Sequence, residues 1–294
     1  MLFGGLEAGG TKMVCAIGDE KGNIIDQAKF PTDSPDICMP KMIEYFKKFD
    51  IKALGISCFG PVDLNKKHDT YGYILKTTKE NWADYNIVGG FKEALNIPVG
   101  FDTDVNGACL GEAIYGAGKD LENVVYFTIG TGIGIGLYLN GKLHHGTMHT
   151  EGGHMYIKRH PKDNYEGICI FHKDCLEGLA SGPAIEKRFG IKCEYIENNP
   201  NFMDIESYYL AQGVVNAILA YSPEKIILGG GVMHYPNLIE EVRRKTVELL
   251  NGYIQTREVL EDMDNYVVLP KLLDNAGTLG SLELARLEYE ENRD

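Results

Sequence analysis

The chain has 294 residues, 44% of them hydrophobic and 24% charged, which is ordinary for a soluble globular enzyme and long enough to expect two domains. A net charge of −13 weighs against nucleic-acid or anionic-membrane binding, since both need a positive surface. The start, Met-Leu-Phe-Gly-Gly, lacks the charged and apolar regions of a signal peptide, and seven cysteines are an odd number, so a cytoplasmic chain with reduced thiols is expected.

In chain order, strands are predicted at about residues 2–7, 12–18 and 23–30, then a helix around Pro35–Phe49 and a buried strand Ala53–Cys58. The loop Phe59-Gly60-Pro61-Val62-Asp63 follows. Lys66 to Tyr85, polar and aromatic with the single tryptophan Trp82, reads as a long functional loop. A short helix at Phe91–Leu95 and a strand at Val99–Phe101 lead to Asp102-Thr103-Asp104, and a helix is expected to start just after Asp104. The second half opens with strands on either side of Gly130–Gly136 and a hairpin turn at Asn140-Gly141. Gly146 to Gly190 looks irregular. A helix Ile205–Tyr221, a strand Lys225–Leu228, glycines 229–231, a helix from about Pro236 to Leu250, a strand Val267–Leu269 and a closing helix Gly280–Glu290 complete the chain. Alternating strands and helices give an α/β class with a cleft between lobes.

Two turns carry the strongest chemistry. Gly9-Gly10-Thr11-Lys12 and Gly130-Thr131-Gly132-Ile133-Gly134 each join two apolar runs, so each reads as strand, glycine turn, strand. Such turns expose successive backbone N–H groups, which bind anions, and threonine adds a hydroxyl. Neither fits the P-loop or the dinucleotide fingerprint: the first has Gly-Thr-Lys rather than Gly-Lys-Thr, and the second has Ile135, Leu137 or Leu139 at the third-glycine position. One such turn is an ordinary hairpin. Two at the same place in two halves point to nucleotide phosphate.

Asp104 lies where a strand gives way to a helix, a place for a carboxylate that accepts a hydroxyl proton during phosphoryl transfer. The plainer reading is that it only caps the helix. Asp102 is expected to face the other side of the strand. His154, Cys169, His172 and Cys175 form the pattern H-x14-C-x2-H-x2-C, which suits tetrahedral zinc in a region with few apolar residues of its own. Cys15, Cys38, Cys58, Cys109 and Cys193 show no such spacing and read as buried or incidental thiols.

Together these segments resemble the ROK family of sugar kinases, closest to its fructokinase branch. The resemblance rests on residues 4–12 and 127–136, on Asp102-Thr103-Asp104-Val105-Asn106-Gly107-Ala108 with Gly111-Glu112, on Glu151-Gly152-Gly153-His154 with the 169–175 run, on 226–232 and on 275–280. It implies an actin-like, ribonuclease H-like two-lobed fold with an interdomain cleft. The expected lobes are 1–118 plus 276–294, with the first phosphate turn and the base, and 119–275, with the second turn, the zinc segment and the adenosine motif. It further implies transfer from ATP to a hexose, with Asp104 as base, Mg2+ on the phosphates, structural Zn2+ and a homodimer. Gly9, Gly10, Thr11, Lys12, Gly130, Thr131, Gly132, Gly229, Gly230 and Gly231 are the implied nucleotide-binding residues. Gly60, Thr103, Asn106, Glu151, His154 and Glu177 are the implied sugar residues. Family members usually carry Asp at residue 7 and Asn at residue 103, where this chain has Glu7 and Thr103; both, with Ser181-Gly182-Pro183, suit the fructokinase branch. Mannose or a broader hexose range is the alternative within the class. A sugar-responsive regulator would place a DNA-binding helix-turn-helix ahead of the first phosphate motif, which here begins at residue 4; an ATPase serving a partner protein is the remaining rival.

Overall fold

The computed structural model describes every residue except 78, 192–195, 197, 198, 200 and 294; Cys193 therefore lies outside the described residues. The chain divides into two compact units, one of residues 1–119, 143–149 and 272–294, the other of 120–142 and 150–271.

In the first unit, β1 (Leu2–Ala8), β2 (Lys12–Asp19) and β3 (Ile24–Pro31) form an antiparallel meander. Helix α1 (Pro35–Phe46) leads to β4 (Ile51–Cys58), which pairs with β1 in parallel. A small hairpin of β5 (Tyr73–Ile74) and β6 (Tyr85–Asn86) precedes α2 (Ile87–Leu95) and β7 (Val99–Thr103), parallel to β4. Helix α3 (Asp104–Tyr115) follows at once. The sheet order is β3-β2-β1-β4-β7.

The second unit repeats the plan. Strands β8 (Val124–Ile129), β9 (Ile133–Leu139) and β10 (Lys142–Leu143) are followed by helices α4 (Leu176–Ala180), α5 (Gly182–Phe189) and α6 (Phe202–Tyr221). Strand β11 (Lys225–Gly229), helices α7 (Leu238–Leu250), α8 (Arg257–Leu260) and α9 (Met263–Tyr266), and strand β12 (Val267–Val268) complete it. Its sheet order is β10-β9-β8-β11-β12, with β8–β9 antiparallel and β8–β11–β12 parallel. Helix α10 (Ala276–Glu291) belongs to the first unit.

In both sheets the central strand is buried on both faces, as apolar runs without period-two alternation require. Helices α3 and α10 cross at glycines: a Cβ on Gly280 would fall 1.7 Å from the Gly107 carbonyl oxygen, and one on Gly111 2.2 Å from that of Ala276. That close approach fixes the axis of α3, and with it the place of Asp104.

Three expectations change. The closing helix begins at Ala276 rather than Gly280, because it starts where it meets α3. The 146–190 stretch ends in two helices, α4 and α5, the first capped by Cys175. The segment 143–149, placed by sequence with the C-terminal lobe, sits in the first unit, tied there by His145 to Asp102 and by His149 to the Val62 N–H.

Candidate active site

In the first unit, three candidate site segments follow the carboxyl ends of three adjacent parallel strands. Gly9–Lys12 follows β1, Phe59-Gly60 follows β4, and Asp104 follows β7, with Ala8 beside Cys58 and Cys58 beside Thr103. Ligands of open α/β sheets gather at such strand ends. The first turn is a tight hairpin in which the Gly9 N–H donates to the Lys12 carbonyl at 3.0 Å. Thr32, just past β3, braces it, donating its N–H to the Thr11 carbonyl at 3.0 Å and its hydroxyl to the Gly9 carbonyl at 2.7 Å.

Asp104 does not cap α3. Thr103 does: its Oγ1 accepts the Asn106 N–H at 3.1 Å. Asp104 is instead the first helical residue, half-buried, with Oδ1 accepting the Val105 N–H at 2.8 Å. A helix N-terminus favours its ionised form. The neighbouring Cys58 thiol is pushed well up, first by burial and then by the charge of Asp104.

Asp102 is only 2% exposed and fully engaged. Its Oδ1 accepts the Thr103 N–H at 2.8 Å and the Asn106 side-chain amide at 2.7 Å, while Oδ2 lies 2.7 Å from His145 Nε2. The hydrogen bond to Asp102 holds the His145 pKa above its usual value. Asn106 is 1% exposed, and its Oδ1 has no hydrogen-bond partner among the described residues. Gly60 lies beside His149: a Cβ there would be 3.8 Å from the imidazole, whose Nε2 accepts the Val62 N–H at 3.4 Å. Sequence reading missed that His145 and His149 lie beside these candidates, because neither sits in a spacing pattern with its partner.

Glu7, at the end of β1, is largely buried. Burial raises its pKa, and the Thr278 hydroxyl donates to it at 2.9 Å.

In the second unit, Gly130-Thr131-Gly132 turns between Ile129 and Ile133, which pair directly, and the Gly182 N–H donates to the Gly130 carbonyl at 2.8 Å. The glycines that end and follow β11 adjoin it. A Cβ on Gly130 would lie 4.0 Å from the Gly231 nitrogen. Gly230 has φ +90°, and a Cβ there would fall 2.3 Å from the Ile129 carbonyl oxygen, so only glycine fits. The six nucleotide-binding candidates of this unit thus form one cluster.

His154, Cys169, His172 and Cys175 bring one ligand atom each to within 4.8 Å of one another. His154 Nδ1 lies 3.6 Å from Cys169 Sγ and 3.5 Å from Cys175 Sγ; His172 Nδ1 lies 3.7 Å from Cys169 Sγ. Two thiols and two imidazoles at this spacing fit zinc by donor type, number and compactness. A tight turn with Lys173 at φ +61°, closed by its N–H to the Cys169 carbonyl, brings His172 back beside Cys169. Burial pushes the Cys175 thiol up to about 11, so a dication that binds there displaces a proton.

The outer ring nitrogen of His154 faces Glu177 Oε1 at 3.9 Å, and Glu177 Oε2 accepts the Ile133 N–H at 3.0 Å. Glu177 therefore links the Cys/His cluster to the second glycine turn, a role its reading as a sugar ligand did not include. Glu151 is exposed, three residues before His154.

A family model for the ROK family matches residues 3–288. The chain belongs to the ROK family. It is similar to fructokinases of Lactococcus lactis subsp. cremoris, 47% identical over 288 residues, and Streptococcus mutans, 45% identical over 291 residues, with 97% of each chain covered in both cases. Among solved structures it is similar to a ROK family glucokinase from Streptomyces griseus in complex with glucose and AMPPNP. That match has a TM-score of 0.73 at 23% identity and covers 98% of this chain and 100% of the other. The fold is accordingly the actin-like ATPase fold of ROK sugar kinases, and each unit's five-stranded sheet has the ribonuclease H-like order. No helix among the described residues is long and apolar enough to cross a membrane.

Proposed function

We propose that the chain is an ATP-dependent hexose kinase that converts D-fructose to D-fructose 6-phosphate. The observation that carries the reading is the division of labour at the start of α3. Thr103 caps the helix and Asp102 is buried among His145, Asn106 and the Thr103 N–H, while Asp104 stands half-buried in the first turn of α3, beside the ends of β4 and β7, which is the position a proton-accepting carboxylate needs. Full-length similarity to proteins named fructokinase supports fructose as the acceptor, and the AMPPNP bound by the S. griseus glucokinase supports ATP as the donor.

In this reading Asp104 takes the proton of the acceptor hydroxyl as its oxygen attacks the γ-phosphorus. The bond to the β–γ bridging oxygen breaks, and ADP leaves with the electron pair. Backbone N–H groups of Gly9–Lys12 and Gly130–Gly132 hold phosphate, and Gly229–Gly231 face the adenosine. Mg2+ bound with the nucleotide would neutralise phosphate charge. Gly60, Thr103, Asn106, Glu151, His154 and Glu177 hold the sugar; the buried, unpartnered Asn106 Oδ1 suits a ligand hydroxyl. His154, Cys169, His172 and Cys175 hold a structural Zn2+, which orders the segment carrying Glu151. The protein works in the cytoplasm as a homodimer, without nucleic-acid or membrane partners.

The test is ADP release with Mg-ATP against fructose, mannose, glucose and N-acetylmannosamine, with a sugar-free control. A kcat/KM at least about tenfold higher for fructose, some 1.4 kcal/mol of transition-state discrimination, is expected. Equal rates with mannose or glucose would replace fructokinase with a broad hexose kinase. ADP release indifferent to every sugar would remove the kinase reading.

A further inference from the structure

The stretch between β5 and β6 is docked onto the first glycine turn. Its anchor is Trp82, 1% exposed, whose indole N–H donates to the Asp33 carbonyl at 2.7 Å and whose ring meets Phe59 and Tyr85 edge-on at 6.2 and 5.4 Å. Asp33 directly follows Thr32, the residue that braces the turn through Gly9 and Thr11. One short covalent and hydrogen-bonded path therefore runs from Trp82 to the turn. A helical turn at Glu80–Trp82, closed by the Trp82 N–H to the Lys79 carbonyl at 2.8 Å, fixes the residue in front of it.

That residue is Lys79. Its carbon chain lies over the turn: a Cβ on Gly10 would sit 3.4 Å from Lys79 Cε. Lys79 borders a cavity of about 360 Å³ with Thr32, Asp33, Glu80, Asn81 and Trp82. Asp33 and Glu80 line the same space, yet among the described residues no carboxylate pairs with the Lys79 ammonium. A cation carried on a tryptophan-anchored turn, laid across a glycine turn and in ion-pair contact with no carboxylate among the described residues, is placed to receive an anionic ligand there.

We propose that Lys79 is a catalytic residue whose ammonium contacts the transferring phosphoryl group at the Gly9–Lys12 turn and takes up the charge that develops during transfer. The assignment rests on the kinase reading above. Stabilising that charge needs a donor already in place. Trp82 supplies the placement, and Gly10, having no side chain, supplies the room.

The experiment compares wild type, Lys79→Met and Lys79→Arg in the sugar-dependent assay, with inhibition by ADP alone and by ADP with aluminium fluoride, a mimic of the planar phosphoryl group. Lys79→Met is expected to lower kcat about 100-fold, the loss typical of one removed transition-state donor, with the KM for fructose changed less than about threefold. It should weaken the aluminium fluoride complex by a similar factor while leaving ADP binding nearly intact. Lys79→Arg should recover about tenfold of the lost rate, because the charge persists in altered shape. Lys79→Met turning over within about threefold of wild type, or weakening ADP and its fluoride complex equally, would overturn the assignment. Sugar-dependent turnover in wild type beside an unaffected Lys79→Met overturns Lys79 alone; its absence in wild type overturns the kinase reading together with it.

Discussion

Asp102 and Asp104 are two residues apart and have opposite surroundings. Asp102 is buried and satisfied by Thr103, Asn106 and His145, whereas Asp104 is half-buried and opens α3, its Oδ1 accepting the Val105 N–H. The strand-to-helix junction was legible because apolar strand residues stop at Phe101 and small residues at helical spacing begin at Val105. Which residue caps was not legible, since Thr and Asp are both good N-caps and the difference is one of backbone angle. His145 was invisible as the partner of Asp102, because 43 residues separate them and no spacing rule joins a loop histidine to a strand aspartate. The pair has a pH signature. The folded-state pKa of His145 lies above its unfolded value of about 6.5, so its contribution to stability is complete below that pH and fades as pH rises through the raised value. The melting-temperature gap between wild type and His145→Gln should therefore be wider at pH 6 than at pH 9. A gap independent of pH would mean that the imidazole contributes only packing.

At the scale of elements, the segment between β10 and α4 shows what a composition argument sees and misses. Its scarcity of apolar residues suggested that a metal supplies its order, and the H-x14-C-x2-H-x2-C pattern marked the four residues that the structure brings within 4.8 Å. Sequence did not show the polar pins from α5 and α6. Tyr209 donates its hydroxyl to Asp163 at 2.6 Å, Arg188 Nε donates to Asp163 at 2.9 Å, and Gln212 exchanges hydrogen bonds with the Lys158 backbone at 2.7 and 2.9 Å. These contacts hold residues 158–163 independently of the Cys/His cluster. Cys175→Ser should therefore lose about one equivalent of zinc by metal analysis and raise hydrogen exchange over residues 164–178, while 158–163 stay protected. Unchanged zinc content would remove the four-residue assignment, and exchange spreading through α6 would show that the metal supports far more than its own turn. The short helices α4 and α5 escaped the sequence reading because five and eight residues give too few turns for periodicity to register.

At the scale of the whole molecule, the two glycine turns were the legible part of a duplication. Each joins the first two antiparallel strands of a sheet, and each sheet continues with the same order and the same sense of pairing. Hydrophobic runs disclosed the strands but not which would be neighbours. That depends on parallel pairings such as β1 with β4 and β8 with β11, whose partners are dozens of residues apart. The same topology sets the candidate chemistry, since it delivers the Gly9 turn, Gly60 and Asp104 to adjacent strand ends from three separate stretches of chain. The most direct test of this account is the turnover of Asp104→Asn, a change that keeps an acceptor for the Val105 N–H while removing the proton-accepting carboxylate. A kcat about 1,000-fold below wild type, with fructose binding by calorimetry and the melting temperature nearly unchanged, is the result the account predicts. Turnover within about tenfold of wild type would contradict it, and the base would then have to be sought elsewhere in the molecule.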